Sequence, residues 1–281
     1  MINLIFFGSS EHSIVILKKL LEIKDFYISA VITKIDKPVG RDQEITANPV
    51  ADFSRQNNLN LLQIEEFTPE VKSKIKDLYP DLGLCVAFGP PYFDQEMIDI
   101  PKFKIVNIHP SPLPKYRGAT PGPWQIINGE TKSAVTFFQI DALPDHGPII
   151  SQIPFDISPN ETATSFYQKA FDLASDNLES ILKSYIQNPT ILTDQDHSQK
   201  SYFPKLNKDS AQINWSWDEA KINRFINALN PWPIAWTFVI NQQNQKLKMK
   251  MFGRNLVQIE GKKITPWSEI SKYYTIDKSE K

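Results

Sequence analysis

Over residues 3–155, short apolar runs alternate with stretches in which apolar residues recur every three or four positions. The runs at 3–7, 27–33, 81–87, 104–109, 133–140 and 149–155 predict strands. Between them, 11–22, 49–57, 69–78 and 121–128 carry helical patterning. Three of those four open on proline, whose missing N–H costs nothing in a first helical turn. This alternation predicts an α/β fold, a Rossmann-like and mostly parallel sheet with helices on both faces. A longer helix follows over 163–186, with Phe166, Ala170, Leu173, Leu178, Ile181 and Leu182 spaced for one face.

Beyond residue 187 the pattern changes. Residues 187–206 are rich in Asp, Gln, Ser, Thr and Lys and read as a linker. Trp215, Trp217, Trp232, Trp236 and Trp267 then crowd the tail, one short helix is expected over 218–229, and strand-like alternation follows. In Lys246-Leu247-Lys248-Met249-Lys250-Met251, period two puts three lysines on one face and three apolar groups on the other. The organisation expected is a first domain over 1–188, a linker over 189–208 and a small β unit over 209–281.

Length and composition narrow the class. At 281 residues, 41% hydrophobic and 22% charged, the chain is an ordinary two-domain globular protein. No apolar run approaches the roughly 18 residues of a membrane span, so no membrane partner is expected. The first residues lack the basic start and cleavage site of a signal peptide. Cys85 is the one cysteine, which excludes a disulfide scaffold and fits a reducing cytoplasm. Residues 205–281 hold 13 Lys and Arg against 7 Asp and Glu, a net of +6; residues 1–204 hold 18 against 25, a net of −7. A basic tail on an acidic body suits a polyanionic partner.

The candidate chemistry lies where the run ending in Asn107-Ile108-His109 meets Pro110-Ser111-Pro112-Leu113-Pro114. Strand alternation sends Asn107 and His109 to one face, and the prolines end the element and stiffen its exit. Carboxyl ends of parallel strands are where open α/β sheets hold ligands. An amide donor beside an imidazole suits acyl transfer, one steadying an oxyanion and the other handling a proton. Asp145, in the turn-rich loop after residue 140, could reach His109 and fix its tautomer. The stretch Val86-Ala87-Phe88-Gly89, at the end of another strand, would offer backbone groups beside an aromatic wall to a flat heterocycle. His146 has no evident partner in the sequence and ranks behind Asp145. His12 and His197 read as a helix-start residue and a linker residue, and no two histidines have metal-ligand spacing, so no metal is expected. Gly8 stands alone after the first strand, which is not the dinucleotide fingerprint. Ser111 lacks the flanking glycines of a nucleophile elbow.

From Asn107 to Ala119 the chain resembles the signature of the folate-dependent formyltransferases, and Asp145 falls where the third member of that family's Asn/His/Asp triad is expected. The resemblance implies the formyltransferase fold followed by a small β-barrel-like, OB-like domain. Ile213-Asn214-Trp215-Ser216 and Asn230-Pro231-Trp232-Pro233-Ile234-Ala235-Trp236 resemble the start of the carboxyl domain in members that formylate methionyl-tRNA. Gly261-Lys262-Lys263 and Trp267 resemble its close.

By that resemblance the formyl donor is 10-formyltetrahydrofolate and the acceptor is the amino group of initiator methionyl-tRNA, in translation initiation. Asn107 would steady the oxyanion, with His109 and Asp145 in proton transfer. The pterin pocket would map to Val86, Ala87, Phe88 and Gly89 and to Asp141, Ala142, Leu143 and Pro144. The acceptor would meet Ser111, Pro112, Leu113, Pro114 and Arg41, with Lys246, Lys248, Lys250, Arg254, Lys262 and Lys263 on its phosphates. Neither DNA nor a second copy of the chain is implied.

The chain also departs from the family. Asp42-Gln43-Glu44 replaces a basic pair after Arg41, the carboxyl domain is short, and Pro148 replaces an acidic residue. Two other readings stay open: a formyltransferase for a nucleotide-linked amino sugar, which needs no basic tail, and a folate- or tRNA-binding protein without turnover.

Overall fold

The computed structural model describes residues 1–39, 44–46, 48–253 and 255–279. It divides into two compact units, one of residues 1–117, 134–155 and 168–202, the other of 118–133, 156–167 and 203–281.

The first unit is built on strands β1 (Ile2–Gly8), β2 (Phe26–Lys34), a short hairpin of β3 (Lys37–Val39) and β4 (Glu44–Thr46), β5 (Leu61–Ile64), β6 (Leu82–Val86), β7 (Ile105–His109), β8 (Lys132–Gln139) and β9 (Ile149–Asp156). Apart from the hairpin they form one seven-stranded sheet in the order β5-β2-β1-β6-β7-β8-β9. Its parallel pairs run from β5 to β7, and β8 lies antiparallel to β7. The crossover helices are α1 (Glu11–Glu22), α2 (Pro49–Gln56), α3 (Pro69–Lys76) and α4 (Gln95–Asp99). The prolines of α2 and α3 follow the capping residues Asn48 and Thr68, whose side chains accept from Ala51 N and Val71 N. Ile5, Phe7, Ile32, Cys85, Phe88 and Ile105 share one core cluster, so β1, β2, β6 and β7 are fixed by a common apolar layer. β5 and α4 are additions to the pattern expected from the sequence. β5 is a half-buried edge strand of four residues, Leu-Leu-Gln-Ile, too short to show a period.

Helix α5 (Pro121–Asn128) and the 25-residue α6 (Ala163–Gln187) follow the expected periodicity. In α6, Phe166, Ala170, Leu178 and Leu182 are fully buried on one face. The stretch expected as a linker is not a free tether. Thr193 exchanges two backbone hydrogen bonds with Ile149, and Ser201 accepts one from Arg117 N at 2.9 Å. The second unit begins only at Phe203 in this part of the chain.

The second unit holds helix α7 (Glu219–Ala228) and strands β10 (Trp236–Asn241), β11 (Lys246–Met251), β12 (Leu256–Ile259), β13 (Thr265–Pro266) and β14 (Tyr274–Asp277). The sheet is antiparallel, in the order β13-β12-β11-β10-β14. Among the described residues β13 and β14 each pair with one neighbour, so the barrel-like unit does not close through hydrogen bonds. Met249 and Met251 are buried while Lys246 and Lys250 are exposed, as the period-two division predicts, and Leu247 and Lys248 are both half-buried. Among the described residues no helix is long and apolar enough to cross a membrane.

Candidate active site

β7 pairs in unbroken register with β8, Asn107 opposite Phe138 and His109 opposite Thr136. Regular alternation therefore holds, and Asn107 and His109 share a face. His109 is 5% exposed, and its Nε2 lies 3.0 Å from the carbonyl oxygen of Tyr116. A carbonyl can only accept, so Nε2 carries the hydrogen and donates it, leaving the lone pair of a neutral ring on Nδ1. Nδ1 lies 3.7 Å from Asp145 Oδ1, close enough for the carboxylate to pair with the ring once Nδ1 takes up a proton, but too long for a hydrogen bond. Asn107 is half-buried, and among the described residues its side-chain amide has no hydrogen-bond partner. A strand-end amide with its donors unspent, next to an oriented imidazole, is what a developing oxyanion requires.

The proline-rich exit is held by neighbouring strands. Thr136 Oγ1 donates to the Ser111 carbonyl at 2.6 Å, and Gln152 Nε2 donates to the Leu113 carbonyl at 2.8 Å. The Ser111 hydroxyl is fully buried and donates to the Lys115 carbonyl, closing a turn. Leu113 also faces inward, so of the four residues 111–114 only Pro112 and Pro114 keep surface for a ligand.

At the end of β6 the chain turns through two left-handed residues, Ala87 with φ +46° and Gly89 with φ +68°. Both are exposed, and Ser9 Oγ lies 3.0 Å from the Ala87 and Phe88 carbonyls. Val86 and Phe88 are buried, and Phe88 packs against Phe7, Phe67 and Phe93. The expected aromatic wall is thus part of the core, and the backbone of Ala87 and Gly89 is what faces outward. Burial pushes the neighbouring Cys85 thiol up to about 12, which leaves it inert as a nucleophile.

The loop after β8 is organised by Asp141. Its Oδ1 accepts from Leu143 N at 3.0 Å, and its Oδ2 lies 2.5 Å from His146 Nδ1. Ala142, Leu143 and Pro144 are exposed. His146, expected to have no partner, therefore has one, and its ring also stacks on His197 at 4.0 Å and 11°. Asp145 sits at φ +51°, and a Cβ on Gly147 would come within 1.9 Å of the Gln139 carbonyl oxygen, so only glycine lets the loop close there.

Arg117 completes the surroundings. The residue is 6% exposed, and its guanidinium donates from Nη2 to Gln195 Oε1 at 2.6 Å and to His197 Nδ1 at 2.8 Å. Burial lowers its proton affinity, against the opposing pull of Asp145 and Asp141. His197 is likewise held below its usual range, first by desolvation and then by His146 and Arg117. The sequence gives Gln195 and His197 no signal beyond a polar stretch. His146 and Asp141 at a spacing of five in one loop are the one hint a reader of the sequence could have used.

In the second unit Lys248 Nζ stands 3.6 Å from the Trp236 ring centroid, and Lys246 Nζ stands 4.4 Å from that of Phe238. Lys246 also pairs with Asp277 at 3.0 Å. That carboxyl is held down at about 2, first by Ser279 and then by Lys246. Lys262 Nζ donates to the Tyr274 hydroxyl at 2.6 Å, and Lys262 and Lys263 line a cavity of about 420 Å³ with Tyr273, Tyr274 and Gln243. Arg41 and Arg254 lie outside the described residues. Among the described residues no cluster of His, Cys, Asp and Glu could hold a metal.

A mostly parallel α/β sheet bearing Asn and His at its carboxyl edge, with an Asp facing the His from the loop after the neighbouring strand, followed by a small antiparallel sheet, is the architecture of a formyl-transferring enzyme. The chain belongs to the formyl transferase family: residues 2–182 match that family and residues 205–270 match the formyl transferase C-terminal domain. The methionyl-tRNA formyltransferase of Acetivibrio thermocellus is 35% identical over 265 residues, 94% of this chain and 83% of that protein. Among solved structures, a sugar 3N-formyl transferase crystallised with dTDP and 5-N-formyl-THF aligns with TM-score 0.64 at 21% identity, over 94% of this chain and 99% of the other. A methionyl-tRNA formyltransferase from Clostridium thermocellum aligns with TM-score 0.60 at 17% identity, over 99% of both chains. At those identities the solved structures speak for the fold alone.

Proposed function

We propose that this enzyme moves a formyl group from 10-formyltetrahydrofolate to the amino group of initiator methionyl-tRNA. Two features support this acceptor over an amino-sugar nucleotide: curated relatives named for methionyl-tRNA at 33–35% identity, and a tail carrying Lys246, Lys248 and Lys250 along one strand, the first and last of them exposed. The observation that carries the chemistry is the unpartnered Asn107 amide beside His109, whose Nδ1 faces Asp145.

The residues present fit a folate. Exposed backbone at Ala87 and Gly89 and the exposed loop Ala142–Leu143–Pro144 suit a flat, hydrogen-bonding heterocycle, and Asn107 has an amide to spare. The bound folate supplies an activated formyl carbon, and the rest of the work falls to the chain. Asn107 donates to the formyl oxygen as negative charge gathers there. His109 accepts the proton of the attacking amine at Nδ1, where Asp145 stabilises the imidazolium, and gives it to the donor nitrogen as that nitrogen's bond to the formyl carbon breaks, with Nε2–H anchored on the Tyr116 carbonyl throughout. Pro112 and Pro114 border the acceptor, and the lysines of β11 with Lys262, Lys263, Arg41 and Arg254 meet its phosphates.

This division assigns catalysis to residues 1–188 and tRNA binding to 209–281, in a cytoplasmic monomer. The test is formylation of methionyl-tRNA by the purified protein, with light scattering for its mass. Turnover of an amino-sugar nucleotide with inert tRNA would replace this reading.

A further inference from the structure

We infer that Gln195 is a positioning residue for this transfer: its side-chain amide sets the backbone of Asp145, and thereby where that carboxylate stands relative to His109. The inference rests on the reading of the site given above.

Gln195 belongs to a stretch whose polar composition reads as a linker, yet it is 5% exposed. Its Nε2 donates to the Asp145 carbonyl at 3.1 Å and to the Gly147 carbonyl at 2.7 Å, which uses both amide hydrogens. Its Oε1 accepts from Arg117 Nη2 at 2.6 Å. The two carbonyls flank His146, in the turn where Asp145 takes its left-handed φ of +51°. A side chain larger than glycine rarely holds that conformation unless its surroundings enforce it.

The same stretch also anchors the other half of the catalytic pair. Ser201 Oγ accepts from Tyr116 N at 2.9 Å, and the Ser201 carbonyl accepts from Arg117 N at 2.9 Å. Tyr116 is the residue whose carbonyl fixes His109 Nε2. Residues 193–202 thus form a strap: Thr193 is stitched to Ile149, Gln195 to the loop of Asp145, His197 to the ring of His146 and Ser201 to the peptide that holds His109. Gln195 bridges the two sides directly, with Arg117 on its oxygen and Asp145 on its nitrogen. An apolar side chain of the same size would remove a donor from the Asp145 and Gly147 carbonyls and one of the two acceptors of Arg117 Nη2.

The test measures kcat, the KM for each substrate and Tm for wild type, Gln195→Ala, Asp145→Asn and the double variant. A positioning role predicts that Gln195→Ala lowers kcat by about 100-fold, the scale of a displacement near 1 Å, with each KM nearly unchanged. It also predicts that the double variant is no slower than Asp145→Asn alone, because Gln195 acts only through that carboxylate. Gln195→Glu keeps the size and the acceptor for Arg117 but loses both donors, and should show the same loss of kcat if Gln195→Ala fails to fold. Wild-type kcat in both variants, or losses that multiply in the double variant, would overturn the inference and leave the functional reading intact. A wild type inert towards methionyl-tRNA overturns the functional reading and this inference with it.

Discussion

His109 Nδ1 faces Asp145 Oδ1 across 3.7 Å while its Nε2 is held 3.0 Å from the Tyr116 carbonyl. The ring is thus fixed from the side away from the carboxylate, and Nδ1 and Oδ1 are two acceptors turned towards one gap. A proton arriving there is shared at once, and hydrogen bonds in a ligand-free site tighten when substrate binds.

Replacing the carboxylate tests this arrangement. In Asp145→Asn the amide can turn an N–H towards Nδ1 and occupy its lone pair. We expect kcat to fall by roughly 10⁴, the scale seen when the carboxylate beside a catalytic imidazole is replaced by its amide. Steady-state formylation kinetics and a thermal melt check this; an unchanged Tm with lost turnover is the expected pair.

The lysines of β11 are not equivalent. Lys246 already pairs with Asp277, whereas Lys250 is exposed and stands opposite Trp236 in the register. A phosphate gains less from a lysine whose charge is already matched. Lys250→Ala should therefore reduce the slope of log affinity against log salt by about 1, and Lys246→Ala by clearly less. Titrations of tRNA at several salt concentrations measure both slopes, and equal slopes would count against the distinction.

The parts of the fold and site legible in the sequence are those that local pattern determines. Six strands of the large sheet show themselves because each is an apolar run bounded by turn residues, while β5, with four residues, is too short to do so. Asn107 and His109 are legible because two positions along one strand share a face whatever the tertiary structure. Gln195 is not. Its partners lie 78, 50 and 48 residues away, and a polar side chain that satisfies distant carbonyls looks in sequence like one that satisfies water. Phe88 misleads in the opposite direction: an aromatic residue at a strand end reads as a wall for a ligand, but its ring completes the Phe7 cluster.

Acid should weaken the first unit through its neutral histidines. His12 stacks on Phe171 at 5.2 Å, and burial, opposed by Glu11, lowers its pKa from 6.5. The unfolded chain therefore takes up a proton there more readily than the folded one. Stability is intact above pH 6.5 and is lost as pH falls below it towards the folded value. His197 is shifted in the same direction and adds to the effect. Thermal melts between pH 8 and about 5 should show Tm falling below neutrality, with a shallower fall in His12→Phe. An equal fall in the variant would assign the acid sensitivity elsewhere.

The most direct measurement is the rate of formyl transfer from 10-formyltetrahydrofolate to methionyl-tRNA by wild type and by Asn107→Ala at saturating substrates. Wild type should yield formylated tRNA, and the variant should show a kcat lower by roughly 10²–10³, the usual scale for one lost oxyanion donor. Equal turnover by the two proteins, or a wild type that formylates an amino-sugar nucleotide and leaves methionyl-tRNA untouched, would contradict this reading.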